Sequence, residues 1–312
     1  MAVSLGMWIG FNAFVLLMVA LDLGVFHRKA HEVSLKEAGF WSVVWVGLAL
    51  GFNAWIWSAW GPDAGLQFLT GYLIEKSLSV DNIFVFVLLF SFFKVPAMYQ
   101  HRVLIWGILG ALVMRGLFIA AGSYVLEQFH WVLYVFGAIL ILTGLKMLRQ
   151  QESASPADST LFRWVRRWLP MTERYHGDRF WIRENGRRLA TPLFLVLILV
   201  EASDLLFAID SIPAIFAVTR EPFLVFTANV FAILGLRSMY FLLAGVVHRF
   251  VYLKVGLAAV LVFVGIKMVI VDLYRIPVAV SLLVILGVIG ASIGLSLLKT
   301  KPAAAVKPAE AG

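Results

Sequence analysis

The chain has 312 residues, 62% of them hydrophobic and only 14% charged, with a positive mean hydropathy. That composition excludes an ordinary soluble domain and describes a polytopic membrane protein. A formal net charge of +8 without a single cysteine leaves basic surfaces to be located and removes disulfides, thiolate metal sites and thiol catalysis.

Residues 6–26 lack a basic leader and run straight into an apolar span, so they read as a membrane segment and not a cleavable signal. Further spans are expected near 39–60, 66–93, 103–125, 131–149, 191–218, 222–246, 251–272 and 277–298, nine in all, each near the ~20 residues that cross a bilayer. Lys76, Arg115, Lys146, Arg237 and Lys267 lie inside spans. Of the remaining 21 basic residues, nineteen fall on the side of the C-terminus and two on the other. The positive-inside rule then puts the N-terminus outside and the C-terminus in the cytoplasm. The +8 charge is therefore topological, and no nucleic-acid surface is expected.

The third and sixth spans are long for a hydrocarbon layer of ~30 Å. Pro213 in the sixth cannot donate to the carbonyl of Ile209, which predicts a helix break between about Ala208 and Pro213. Such breaks at membrane depth are tolerated where they line a cavity. The polar segment of about 150–190 is expected to be a cytoplasmic loop. Within it 161–169 sets aromatics among arginines, as a helix lying on the leaflet or a solvated basic loop would. Glu184-Asn185-Gly186 between two short apolar-alternating runs predicts a β-hairpin. The Ala-, Pro- and Lys-rich 299–312 reads as a disordered cytoplasmic tail, which makes 1–298 one transmembrane domain.

Two stretches echo each other. Glu75-Lys76-Ser77 followed by Asp81-Asn82-Ile83 in the third span matches Glu201-Ala202-Ser203-Asp204 followed by Asp210-Ser211-Ile212-Pro213 in the sixth. Leu112-Val113-Met114-Arg115 resembles Leu234-Gly235-Leu236-Arg237, and Gly144-Leu145-Lys146-Met147 resembles Gly265-Ile266-Lys267-Met268. Spans 3–5 (about 66–149) thus repeat as spans 6–8 (about 191–272). A unit with an odd number of spans, followed directly by its copy, lies inverted in the bilayer, with a ligand site expected between the halves near the midplane.

An ionised carboxylate at the centre of a spanning helix costs roughly 2.5–3.5 kcal/mol, so such groups face a cavity, a partner or an ion. Oxygen ligands from Asp, Glu, Asn and backbone suit Mn²⁺, Mg²⁺ or Ca²⁺, whereas Zn²⁺ and copper favour imidazole or sulfur. The six histidines (27, 31, 101, 130, 176 and 248) all fall in loops or at span ends. The candidate metal ligands are Glu75, Asp81, Asn82, Glu201, Asp204 and Asp210, with Asp22 and Asp272 weaker because they sit near span ends. Glu201 and Asp204 share a helix face. Glu201 and Asp210, nine residues apart, point oppositely on an unbroken helix, and the break before Pro213 is what would reconcile them. The competing reading makes the acids salt-bridge partners of Lys76, Arg115, Lys146, Arg237 and Lys267, since buried charges need counter-charges.

These acidic stretches, together with the chain from Asp22 to about Pro277, resemble the TerC/Alx family of integral membrane proteins, grouped with the LysE-like transporters. The resemblance implies manganese homeostasis or tellurite resistance, and its Alx-like branch implies manganese export and an alkaline-pH response. The expectation is therefore a nine-span all-α transporter in a bacterial inner membrane that exports Mn²⁺ with protons as a counter-ion and has no resident cofactor. The alternative is a membrane scaffold or metal-loading partner whose acids are structural. An enzyme is not expected: Gly290-Ala291-Ser292-Ile293-Gly294 fits a nucleophile-elbow pattern but lies in an apolar helix without a histidine, and reads better as a small-residue packing face.

Overall fold

A computed structural model describes residues 3–24, 34–129, 131–149, 167, 169–184, 186–244, 250–274 and 276–299, with the side chains of 22–24 and of Asp81 outside the description. The side chain of Asp22, the leaflet helix expected over 161–169 (apart from Arg167 and Leu169) and the tail from residue 300 therefore lie outside the description. The helices are α1 (Leu5–Gly24), α2 (Leu35–Trp60), α3 (Pro62–Phe92), α4 (Ala97–Gln128), α5 (Val132–Arg149), α6 (Pro192–Phe216), α7 (Pro222–Leu234), α8 (Leu236–Leu243), α9 (Leu253–Val269) and α10 (Val278–Lys299). Each of the nine expected spans falls on helix, the seventh being divided into α7 and α8. Among the described residues six stretches are long and apolar enough to cross a membrane: α2, α4, α5, α6, α7 with α8, and α10. Val113, Leu117, Leu142, Leu206 and Leu283 point outward along them, a surface fit for lipid.

Local chemistry sets several boundaries. Ser34 caps α2 by accepting from the Glu37 N–H at 3.2 Å, the first half of a Ser-x-x-Glu capping box. Gly61 holds φ of +88° between α2 and α3, a conformation open to glycine. Proline then starts α3, α6 and α7 at a position whose N–H would be unpaired anyway. At 31 residues, α3 is about 46 Å long at 1.5 Å per residue and runs unbroken.

The expected break at Pro213 is corrected by the structure: α6 is continuous through it. Proline removes one hydrogen bond from the ladder but does not end the helix, and the Pro213 carbonyl still accepts from the Ala217 N–H at 3.0 Å. Ser211, Ile212, Pro213, Ala214 and Ile215 are all buried, so packing on every side holds the helix together across the missing bond. The interruption occurs instead in the seventh span, at Gly235, whose ψ of −1° separates α7 from α8.

Three apolar clusters organise the bundle. Phe11, Phe52, Phe68, Phe223 and Phe231 interlock α1, α2, α3 and α7, with Phe52 and Phe231 centroids 5.0 Å apart. A second core joins α5, α6, α9 and α10, and a third lies where α3, α4 and α6 meet the polar segment. There β1 (Trp181–Glu184) pairs antiparallel with β2 (Arg187–Ala190), Arg183 facing Arg188, as the Asn-Gly turn predicts. This segment is pinned to the bundle by the Tyr175 hydroxyl donating to the Phe93 carbonyl at 2.7 Å, by an Arg102–Asp178 ion pair, and by Trp181 against Phe194 at 4.6 Å.

The tightest helix contact is between α5 and α9. A Cβ on Gly137 would lie 2.8 Å from the Gly265 carbonyl, one on Gly265 2.7 Å from the Gly137 carbonyl, and one on Gly144 2.8 Å from the Ala258 carbonyl. Advancing along α5 moves the contact backward along α9, so the two helices are antiparallel with backbones touching. Gly265→Ala is expected to force them apart and lower stability by about 1–3 kcal/mol, read as a fall in the thermal midpoint of detergent-purified protein. Gly287→Ala, where a methyl meets nothing within 4 Å, serves as the control and should leave the midpoint unchanged.

Candidate functional site

Arg115, on α4, is 2% exposed and reaches across to α3 and α6. Its Nη2 donates to Asp204 Oδ1 at 2.7 Å and its Nε to Asp204 Oδ2 at 3.1 Å, a bidentate fork. Its Nη1 is paired with Glu75 Oε1 and lies 3.5 Å from Ser211 Oγ. Asn82 Nδ2 donates to Asp204 Oδ1 at 3.1 Å. Glu75, Asn82, Asp204 and Ser211 are all at most 3% exposed, so this is a charged cluster sealed from solvent and lipid at the junction of α3, α4 and α6.

The cluster is not closed. Glu75 Oε2 and Asn82 Oδ1 are buried acceptors without a donor among the described residues, and so is Oε2 of Glu201, one turn before Asp204 on the same face of α6. Gly110 of α4 makes room for the Glu201 carboxyl, which a Cβ at that position would overlap. Glu75 and Asp204 thus share the Arg115 guanidinium, and Glu201 has no cation paired with it among the described residues. Next to Asp204 and Arg237 lies a void of about 10 Å³, the size of a single water.

The sequence-predicted ligands are therefore divided. Glu75, Asn82 and Asp204 meet through Arg115, with Glu201 beside them. Asp210 faces away, accepting from Thr143 Oγ1 of α5 at 2.9 Å, with Lys146 acting on it from the next turn. That is the opposed arrangement nine residues impose on an unbroken helix, and without the Pro213 break nothing reconciles Glu201 with Asp210. Asp81 lies on α3 with its side chain outside the description. Among the described residues no three of His, Cys, Asp and Glu converge closely enough to hold a metal ion.

The intramembrane cations have distinct surroundings. Lys76 Nζ donates to the Ala232 carbonyl at 3.3 Å and rests against Gly235, where a Cβ would lie 2.6 Å from it. The interruption between α7 and α8 thus turns a backbone oxygen toward a buried ammonium. Arg237 borders the void beside Asp204, and Lys267 donates to Ser281 Oγ at 2.9 Å. Ser211, Thr143, Gly110 and Gly235 complete these contacts without having been singled out beforehand. Ser211 and Gly235 were at least visible as members of the repeated motifs.

A family model described as integral membrane protein TerC family matches residues 60–304. The uncharacterized membrane protein STKORF319 of Myxococcus xanthus is 61% identical, covering 96% of this chain and 94% of that protein. The putative membrane-bound redox modulator Alx of Escherichia coli K12 is 54% identical, over 91% of each chain. An uncharacterized membrane protein of Rickettsia bellii is 42% identical, over 89% of this chain and 92% of its own length. No solved structure matches.

Arg115 is the counter-charge that Glu75 and Asp204 share in a buried interior. Arg115→Met is expected to strand both carboxylates and cost about 3–5 kcal/mol, measured by thermal unfolding of the detergent-purified protein. The combined change Arg115→Met with Asp204→Leu, which removes the bidentate pair as a unit, should recover part of that loss.

Proposed function

The chain belongs to the TerC family of integral membrane proteins, and from that premise we propose that it is a transporter that carries a divalent cation, Mn²⁺ foremost, out of a bacterial cell across the inner membrane. The observation that carries this reading is the charge excess at Arg115: the carboxylates of Glu75 and Asp204 paired with one guanidinium, with acceptor oxygens of Glu75, Asn82 and the partly exposed Glu201 lacking donors among the described residues. Hard carboxylate and amide oxygens are the ligands Mn²⁺, Mg²⁺ and Ca²⁺ select. A divalent ion would supply the charge the cluster lacks. When the ion leaves, protons on the same carboxylates would replace it, which is the basis for coupling export to proton entry.

The inverted repeat belongs to the same reading. The α5–α9 contact supports it: with the offset of 121 residues between the matched Gly144 and Gly265 motifs, Gly137 against Gly265 maps onto Ala258 against Gly144, and both contacts occur. A two-fold axis in the membrane plane generates such paired contacts between antiparallel helices. The basic-residue asymmetry supports an outside N-terminus and a cytoplasmic C-terminus. At Gly235, where the seventh span changes from α7 to α8, Lys76 donates to the Ala232 carbonyl, a backbone oxygen at the depth where a transporter would use one.

The name of the Alx relative points to redox modulation. With no cysteine in the chain, its own side chains offer no thiol–disulfide exchange, and an effect on redox state would follow from the metal moved. One observation favours the scaffold alternative, in which the acids are structural: Arg115 already holds Asp204 through two hydrogen bonds and Glu75 through a third. Glu201 separates the two readings because no cation is paired with it among the described residues.

Glu201→Gln keeps the shape and removes the charge. Purified protein in liposomes is expected to carry Mn²⁺, and Glu201→Gln to reduce that flux at least about tenfold, since one charged ligand of a hard-ion site is lost, with an unchanged or raised thermal midpoint. Undiminished flux in Glu201→Gln would remove Glu201 from the site, and wild-type liposomes impermeable to Mn²⁺, Mg²⁺ and Ca²⁺ alike would refute the transporter.

A further inference from the structure

A second polar locus lies away from the Arg115 cluster, in a cavity of about 400 Å³ where α6 and α9 end and α5 and α10 begin. Its walls are largely apolar, with Leu133, Phe216, Met268 and Val271 among them, and its charged lining groups are Lys267, Arg220 and Asp272. Asp272 accepts the Tyr134 hydroxyl. Lys267 is 9% exposed, and its ammonium has one hydrogen-bond partner, the neutral Ser281 hydroxyl at 2.9 Å. An ammonium carries three donors, so two are left without a protein acceptor among the described residues, on a residue that lines open space.

A buried cation in a membrane protein needs a counter-charge. Lys267 sits in the last turn of α9, where it complements the helix dipole, but a dipole's partial charge does not replace a full counter-charge. Its repeat counterpart Lys146 acts on the carboxylate of Asp210, whereas Lys267 meets only a hydroxyl. We propose that this cavity binds a phosphate oxyanion through Lys267, with Arg220 as the second cation, and that the oxyanion is presented by a phospholipid headgroup. The volume decides between a lipid and the free ion: about 400 Å³ lies within the ~300–1,000 Å³ range of organic-ligand pockets and far exceeds one phosphate, and the apolar walls suit the start of an acyl chain. Two cations against one hydroxyl-bonded carboxylate also make the cavity unsuited to a divalent cation. The inference does not depend on what the Arg115 cluster carries.

The test is retention of added lipid by delipidated, detergent-purified full-length protein, read by native mass spectrometry. The probes are phosphatidylglycerol, phosphatidylcholine and inorganic phosphate. Wild-type protein should retain one phosphatidylglycerol in preference to phosphatidylcholine, and Lys267→Met should reduce that retention at least about tenfold, the usual loss when one member of a buried charge pair is truncated. Val271→Trp fills the cavity without altering its charge and should give the same loss, which guards against Lys267→Met acting through misfolding. Retention of inorganic phosphate that Lys267→Met abolishes, with no lipid retained, would uphold the oxyanion site and assign it to the free ion. Equal phosphatidylglycerol retention in wild type, Lys267→Met and Val271→Trp would overturn the proposal.

Discussion

A guanidinium sealed inside a helical bundle must be neutralised on the spot, and much of the centre of this molecule follows from meeting that requirement. Arg115 of α4 draws Glu75 from α3 and Asp204 from α6 into one cluster. Those helices come from the two halves of the repeated motif. The cost of leaving any one of the three charges alone in a low-dielectric interior far exceeds that of a lost apolar contact. The cluster therefore specifies how the halves register against each other, and around it the aromatic packing of α1, α2, α3 and α7 and the glycine contact of α5 with α9 supply close packing without further charge.

The same cluster has oxygens to spare. A structural ion pair would be expected to satisfy its lone pairs, as buried polar groups generally do. Here Glu75, Asn82 and Glu201 each keep a buried acceptor without a donor among the described residues. The Lys76 ammonium is nearby in sequence but turned to the Ala232 carbonyl at the α7–α8 interruption. These unmet oxygens, with a water-sized void beside Asp204, are the features on which the proposed cation site rests, and on that proposal the close α5–α9 contact would be the interface about which the halves move.

Much of this was legible in the residues before any coordinates. Nine apolar runs placed the helices, and the acids within those runs, with Asn82 beside them, identified Glu75, Glu201 and Asp204 as chemically special because their burial is costly. Arg115 was identifiable as a counter-charge, though not as the residue joining Glu75 to Asp204, since which cation meets which acid depends on helix crossing. The position of the helix interruption could not be read locally. Pro213 is a strong breaker by propensity, yet burial on all sides carries α6 through the loss of one hydrogen bond. Gly235 is a weak breaker by propensity, yet the span divides there, where a Lys76 ammonium packs against it. Tertiary demand overrode local preference at both positions. The opposed directions of Glu201 and Asp210 follow from helix geometry once the break is absent.

The central claim is that the charge excess beside Arg115 is the binding determinant for a divalent cation. Calorimetric titration of Mn²⁺ into the purified protein, in two buffers of different ionisation enthalpy, tests it most directly. The account predicts saturable binding with release of protons to the buffer, weakened at least about tenfold and releasing fewer protons in Glu201→Gln, because that carboxylate both holds the ion and carries a proton in its absence. Mn²⁺ binding of equal affinity and equal proton release in the wild type and Glu201→Gln would contradict it.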